Sequence, residues 1–138
     1  MTFVLDASTT LAWCFDDEAN PFAEACLSDL SRTDAVVPAL WKLEVTNVLL
    51  VAERRGRISA ADGDRFWALL LGLPIAVDDD GAAVESLLAI GRELGLSAYD
   101  ATYLELASRR GLPLATLDER LRDACARRGI ELFVPTQP

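Results

Sequence analysis

Short apolar runs alternate with longer amphipathic stretches along the whole chain. The apolar runs are bounded by turn residues, which is typical of buried strands. They lie at 3–5, 34–38, 75–77, 114–116 and 130–134. The stretches between them repeat apolar residues at helical spacing, most clearly over 40–54. Strands that alternate with helices form a parallel sheet with helices on both faces. The pattern predicts an α/β fold with three α/β/α layers, about five short strands and one domain over 1–138.

Two acidic residues follow the ends of predicted strands. Asp6 comes directly after the first strand, and Asp118 lies at the end of the fourth. In open parallel sheets, ligands bind outside the carboxyl ends of the strands. Asp6 therefore stands where such folds carry out their chemistry. Alternatively, Asp6 caps the helix that begins near Thr9, although Ser8 could serve as that cap and leave Asp6 free.

Two further acids lie on predicted helices, and each has two interpretations. Glu44 flanks the apolar stripe of the helix over 40–54, either as a solvated boundary residue or as a positioned ligand. Ser97 and Asp100 have the spacing of a capping box. However, Asp100 shares a helix face with Leu104, so its side chain should point toward the sheet.

A run of three acids at 78–80 resembles a metal-binding cluster at first sight. A helix is predicted directly after it, and acids at that position cap a helix and favour its dipole. We therefore predict a turn and a helix cap at 78–80, and the candidate metal site lies elsewhere.

The composition narrows the possible chemistry, because the chain contains no histidine. This excludes histidine acid–base catalysis, Ser-His-Asp triads and histidine-ligated zinc. Four carboxylates that meet at one sheet edge repel each other and need cations to ionise together. Oxygen ligands suit Mg²⁺ or Mn²⁺, which can activate water for attack on a phosphate. The sequence thus predicts a metal-dependent hydrolytic site.

The net charge of −9 argues against general nucleic-acid binding and suits a basic partner. Contacts to RNA would have to come from clustered arginines, which could equally be helix-end and surface charge. The first candidates are Arg54, Arg55 and Arg57; the next are Arg109, Arg110, Arg120 and Arg122. Three widely spaced cysteines, no secretory signal and no stretch long enough to cross a bilayer predict a cytoplasmic protein without membrane contact.

Four segments resemble the four acidic motifs of PIN-domain ribonucleases. They read VLDAS at 4–8, EVTNVL at 44–49, YDATYLELA at 99–107 and TLDERL at 116–121. Their order and spacing are most similar to those of VapC-type toxins from bacterial toxin–antitoxin pairs. The resemblance covers nearly the whole chain and implies an endoribonuclease that depends on Mg²⁺ or Mn²⁺.

The resemblance also implies roles for particular residues and partners. Asp6 and Asp100 would be the principal metal ligands. Glu44 and Asp118 would complete the acidic catalytic site, directly or through water. The family places supporting polar residues at the positions of Ser8, Asn47 and Thr116. Such enzymes usually form homodimers, and a small antitoxin with a basic tail inhibits them by covering the acidic cleft.

Two other functions remain alternatives. Phosphoryl-transfer enzymes of the haloacid-dehalogenase or receiver type also have an aspartate after the first strand. The dehalogenase pattern has a second acid where Ser8 stands, and both types have a lysine late in the chain, whereas Lys42 is the only lysine here. A catalytically silent PIN-like binding module would use the same fold only to hold a protein or an RNA. The presence of all four acids argues against it.

Overall fold

Within residues 1–136, which the computed structural model describes, four short strands form one parallel sheet in the order β3-β2-β1-β4. The strands are β1 (Phe3–Leu5), β2 (Ala35–Pro38), β3 (Ile75–Asp78) and β4 (Leu114–Ala115). Val4 of the central strand β1 pairs with Val36 on one side and Leu114 on the other. The last two residues of the domain predicted over 1–138 lie outside the described residues.

Seven α-helices occur in the same described range, together with a short 3₁₀ turn at Asp16–Glu18. The helices are α1 (Ala7–Ala12), α2 (Pro21–Asp29), α3 (Leu40–Arg54), α4 (Ala60–Leu71), α5 (Val84–Leu94), α6 (Ala98–Arg110) and α7 (Glu119–Arg128). None of these helices combines the length and the apolar composition that crossing a membrane requires. The alternation of strands and helices confirms the α/β fold predicted from the sequence.

The stretch predicted as a fifth strand joins the sheet at a single position. Leu132 forms an isolated parallel bridge with Leu114. The backbone of Leu114 donates to the Glu131 carbonyl at 3.0 Å and accepts from the Phe133 N–H at 2.9 Å. Because β4 is only two residues long, the segment at 130–134 can form few backbone hydrogen bonds with it beyond this bridge.

Helices cover both faces of the sheet, so its central strand is fully buried. All three residues of β1 are 0% exposed, as expected for a parallel strand with helices on both sides. The ring of Phe133 stacks on that of Phe3 with 3.9 Å between centroids. Four helices begin just beyond a strand at its carboxyl edge, namely α1, α3, α5 and α7, and this edge carries the acidic residues.

Candidate active site

Asp6 lies at the point where β1 ends and α1 begins, and it is only 3% exposed. One carboxylate oxygen accepts from the Thr9 N–H at 3.0 Å, so Asp6 is the N-cap of α1. The alternative in which Ser8 caps this helix is wrong, because Ser8 lies inside α1 and donates its hydroxyl to Asp6 at 2.8 Å. Thr116, just after β4, donates to the other side of the carboxylate at 2.5 Å.

The two hydroxyls that bind Asp6 also hold the connection between β4 and α7. Ser8 Oγ accepts from the Leu117 N–H at 3.1 Å, and Thr116 Oγ1 accepts from the Asp118 N–H at 3.0 Å. A hydroxyl that accepts one hydrogen bond and donates another has a fixed orientation. The first and last acidic segments are thus joined through two oriented hydroxyls.

The Asp6 carboxylate has neutral hydrogen-bond donors, and no Lys or Arg of residues 1–136 forms an ion pair with it. Burial raises the pKa of Asp6 above its usual value, and the hydrogen bonds from Thr116, Thr9 and Ser8 only partly offset this effect. The protein therefore holds a buried acid that is well oriented but lacks a compensating charge.

Glu44 projects from the second turn of α3 and is partly buried. The phenol of Tyr103 donates to Glu44 Oε1 at 2.5 Å. Burial raises the pKa of Glu44, and the negative charges of Asp100 and Asp6 raise it further, against the lowering effect of the Tyr103 hydrogen bond. Glu44 is therefore a half-buried acid that Tyr103 orients, within electrostatic reach of two other acids.

Asp100 lies in the first turn of α6, and its backbone N–H donates to Ser97 Oγ at 3.2 Å. The Asp100 side chain is partly buried, and burial together with the charge of Asp118 raises its pKa. The positive charge of Arg120 acts in the opposite direction on the same carboxyl. Asp118 is the N-cap of α7 and accepts from the Arg120 N–H at 2.8 Å.

The four acids influence one another in a chain of pairs, from Asp6 through Glu44 and Asp100 to Asp118. Among residues 1–136, no three His, Cys, Asp or Glu side chains are arranged to hold one metal ion together. The donor set nevertheless consists of carboxylate oxygens, which Mg²⁺ and Mn²⁺ prefer. A divalent cation would also relieve the repulsion within the pairs. By their chemistry, these residues fit such an ion.

The supporting polar residues behave differently from one another. Ser8 and Thr116 both bind Asp6, as described above. Asn47 is exposed on α3, and within the described part of the chain its side chain forms no hydrogen bond to the acids. Tyr103 binds Glu44 but was missing from the sequence-based candidates, because an aromatic residue at helical spacing indicates core packing. Its position three residues after Asp100, on the same helix face, was the available signal.

The candidate arginines also differ in their surroundings. Arg57 is paired with Asp17 at 2.6 Å and Glu18 at 2.9 Å. Arg54 and Arg55 are exposed at the end of α3, and ten residues of helix place Arg54 about 15 Å along the axis from Glu44. Arg120 is exposed as well, and its charge acts on Asp100, so it lies beside the acidic site.

The model of the PIN domain family matches residues 3–127 of this chain. The chain belongs to the PIN domain family. The matched segment contains all four acidic residues, and the match confirms the resemblance recognised in the four motifs.

Similar proteins extend over almost the whole PIN domain. Ribonuclease VapC3 from Pyrobaculum aerophilum is 28% identical over 127 residues, which cover 89% of this chain and 94% of the relative. A crystal structure of a protein from the same organism has a TM-score of 0.69 at 25% identity and covers 90% of this chain and 87% of its own. The structure of VapBC2 from Rickettsia felis, bound to a promoter DNA fragment, has a TM-score of 0.69 at 9% identity. The match covers 96% of this chain and 98% of the VapBC2 chain.

Proposed function

We propose that this PIN domain is a divalent-metal-dependent endoribonuclease and the toxin of a VapBC-type toxin–antitoxin pair. The observation that carries the proposal is the Asp6 carboxylate, which is buried, oriented by neutral hydroxyls and within electrostatic reach of Glu44. A site of this kind attracts a hard cation. The likeness to a relative named Ribonuclease VapC3 supports RNA as the substrate.

Asp6 and Asp100 would be the principal metal ligands, and Glu44 and Asp118 would complete the site directly or through water. A bound Mg²⁺ or Mn²⁺ would supply an activated water and neutralise charge on the phosphate. Ser8 and Thr116 keep the Asp6 carboxylate in one orientation, so little reorganisation is needed when the substrate arrives. Because the chain has no histidine, the carboxylates of the site and water would carry the proton transfers.

RNA would be bound through its phosphates by the exposed arginines. Arg120 is the first candidate because its charge lies close enough to Asp100 to lower the pKa of that acid. Arg54 and Arg55 would contact the strand further away, at the end of α3. Arg57 is less available, because Asp17 and Glu18 already compensate its charge. With so few contacts, binding should weaken as salt concentration rises, with a shallow slope.

Two protein partners belong to this proposal. The net charge of −9 and the acidic site favour an antitoxin with a basic tail. A second copy of the chain would cover exposed large apolar side chains. Most of these lie on α3, α4 and α5: Leu43, Leu50, Leu69, Leu71, Val84 and Leu88. Light scattering would test the homodimer, and loss of cleavage when the neighbouring gene's small protein is co-expressed would test the antitoxin.

The direct test is cleavage of cellular RNA by purified protein at controlled Mn²⁺ and Mg²⁺ concentrations. Wild type should cleave only with a divalent metal, and Asp100→Asn should lower the rate at least about 100-fold. Asp79→Asn is the matched control, because it removes the same charge from an exposed residue outside the cluster. If wild type is inactive, or if Asp100→Asn cleaves as well as wild type, the nuclease proposal fails. Inactive protein that still binds RNA would favour the silent binding module.

A further inference from the structure

Tyr103 joins two separate helices of the acidic site through its phenol oxygen. It lies on α6, three residues after Asp100, and is 2% exposed. Its hydroxyl donates to Glu44 Oε1 across 59 positions of sequence. The phenol therefore connects α6 to α3.

The Glu44 carboxylate needs such a partner in order to stay at the site. A glutamate has three rotatable bonds, and the neighbouring negative charges of Asp100 and Asp6 favour rotation toward solvent. The buried tyrosine has only two side-chain torsions, both fixed by packing. By binding Oε1, its hydroxyl holds the carboxylate in place while Oε2 has no hydrogen-bond partner within residues 1–136.

We propose that Tyr103 is a positioning residue, which holds the Glu44 carboxylate beside Asp6 and Asp100 and so increases the affinity of the acidic site for a divalent cation. The inference rests on the proposed function in one respect, namely that this site binds the cation. Groups that orient metal-binding carboxylates from behind typically change metal affinity by about 10- to 100-fold.

The test measures Mn²⁺ binding directly, through the electron paramagnetic resonance signal of free Mn²⁺, without RNA or turnover. Tyr103→Phe removes only the hydroxyl and should weaken Mn²⁺ binding about 10-fold. Glu44→Gln should weaken it at least as much. If the phenol acts through Glu44, the double variant should bind no more weakly than Glu44→Gln alone. Additive losses, or unchanged Mn²⁺ binding by Tyr103→Phe, would overturn the inference.

Tyr99→Phe is the matched control, because Tyr99 loses the same hydroxyl from the same helix but is 63% exposed. It should bind Mn²⁺ like wild type, and a loss equal to that of Tyr103→Phe would contradict the proposal. Urea unfolding of each metal-free variant reports any general loss of packing separately from Mn²⁺ affinity.

A second variant keeps the proposal testable if Tyr103→Phe folds poorly. Glu44→Asp retains the charge but shortens the side chain by one methylene, so that the phenol can no longer hold it. It should lower Mn²⁺ affinity about 10-fold, and wild-type affinity would overturn the inference. If wild type itself neither binds Mn²⁺ nor cleaves RNA, the proposed function fails as well. If wild type does both and only the Tyr103 effects are missing, the inference alone fails.

Discussion

Asp6 and Asp78 end two parallel strands of the same sheet, and they are 3% and 4% exposed. Asp6 has neutral donors, and burial raises its pKa. Asp78 accepts from Arg109 at 3.2 and 2.7 Å and from Arg110 at 2.6 Å. Hydrogen bonds from Arg109, reinforced by Arg110, lower the pKa of Asp78 to about 2 despite its burial.

The position of an acid at a strand end therefore does not by itself make it functional. The charge of Asp78 is already compensated, so it fastens the edge strand β3 to α6 and has little attraction left for a cation. The charge of Asp6 is buried and oriented but not compensated within the described residues. Only the second arrangement retains the electrostatic potential that draws a divalent ion.

The same substitution at both positions should change RNA cleavage very differently. Asp6→Asn should reduce metal-dependent RNA cleavage at least about 100-fold, because it removes the charge of a proposed metal ligand. Asp78→Asn should leave the cleavage rate of folded protein within about twofold. The measurement is cleavage of a labelled RNA at saturating Mn²⁺, at a temperature at which circular dichroism finds both variants folded. Equal losses would abolish the distinction between the two aspartates.

For the free energy of unfolding, the order of the two substitutions should be reversed, with the larger loss at Asp78. Asp78→Asn weakens charge-assisted hydrogen bonds to two arginines and should lower the free energy of unfolding by about 2 kcal/mol. Asp6→Asn keeps an oxygen that can cap α1 and removes a buried charge. These gains offset part of the cost of turning an amide N–H₂ toward the Thr116 hydroxyl, so its cost should stay below that of Asp78→Asn. Urea unfolding in the presence of a chelator measures both values. A larger cost for Asp6→Asn would mean that Asp6 is chiefly a structural residue.

Asp6 and Asp78 also illustrate which features could be predicted from the sequence and which could not. Hydrophobic periodicity was sufficient for the parallel α/β architecture and for the bounds of α3, because apolar spacing and helix propensity are contained within a few consecutive residues. At 78–80 a turn and a helix cap were expected. The turn is present, with the Gly81 N–H donating to the Asp78 carboxylate at 3.3 Å, but the helix cap is wrong. Asp78 instead belongs to β3, and α5 begins only at Val84, with Ala83 as its N-cap. The two arginines that bind Asp78 lie 31 and 32 residues away, so no local sequence pattern contains them.

The candidate site was predictable to a similar degree. Residues beside strand ends could be placed at one edge, because chain direction determines which edge each parallel strand ends at. The hydrogen bonds that orient them join distant segments, such as Thr116 to Asp6 across 110 positions. Whether an arginine is compensated also depends on tertiary neighbours, as Arg57 illustrates with its pairing to Asp17. The sequence therefore indicates the acids more readily than the groups that orient them.

A smaller loss of metal affinity should follow from removing one of the hydroxyl groups that donate hydrogen bonds to Asp6. Thr116→Val replaces the hydroxyl by a methyl group of similar size and should weaken Mn²⁺ binding about 10-fold, equivalent to about 1.4 kcal/mol. Thr102→Val is the control, because the Thr102 hydroxyl donates only to the Ala98 carbonyl within α6. Calorimetric titration with Mn²⁺ separates the two variants. Identical affinities would mean that the hydroxyls contribute to folding and not to the orientation of Asp6.

The two regions should also differ slightly in how their contributions to stability change with pH. The pKa values of Asp6, Glu44 and Asp100 are raised in the folded protein, which therefore binds more protons than the unfolded chain above about pH 4. Stability of the metal-free protein should consequently fall as pH rises from about 4 toward neutrality. The contribution of Asp78 has the opposite sign.

Asp78 stabilises the fold fully above the usual aspartate value of 3.8, and this contribution is lost only as pH falls toward its folded pKa of about 2. Between about pH 5 and 7, Asp78→Asn should therefore lower the whole stability curve without changing its slope. Asp100→Asn should flatten the slope and raise the unfolding free energy at pH 7 by about 0.5 kcal/mol, because it removes a partly buried charge and its repulsion from Asp118. Urea unfolding across this range in a chelator provides the measurement. A wild-type protein that gains stability as pH rises would contradict the view that uncompensated charge is concentrated around Asp6.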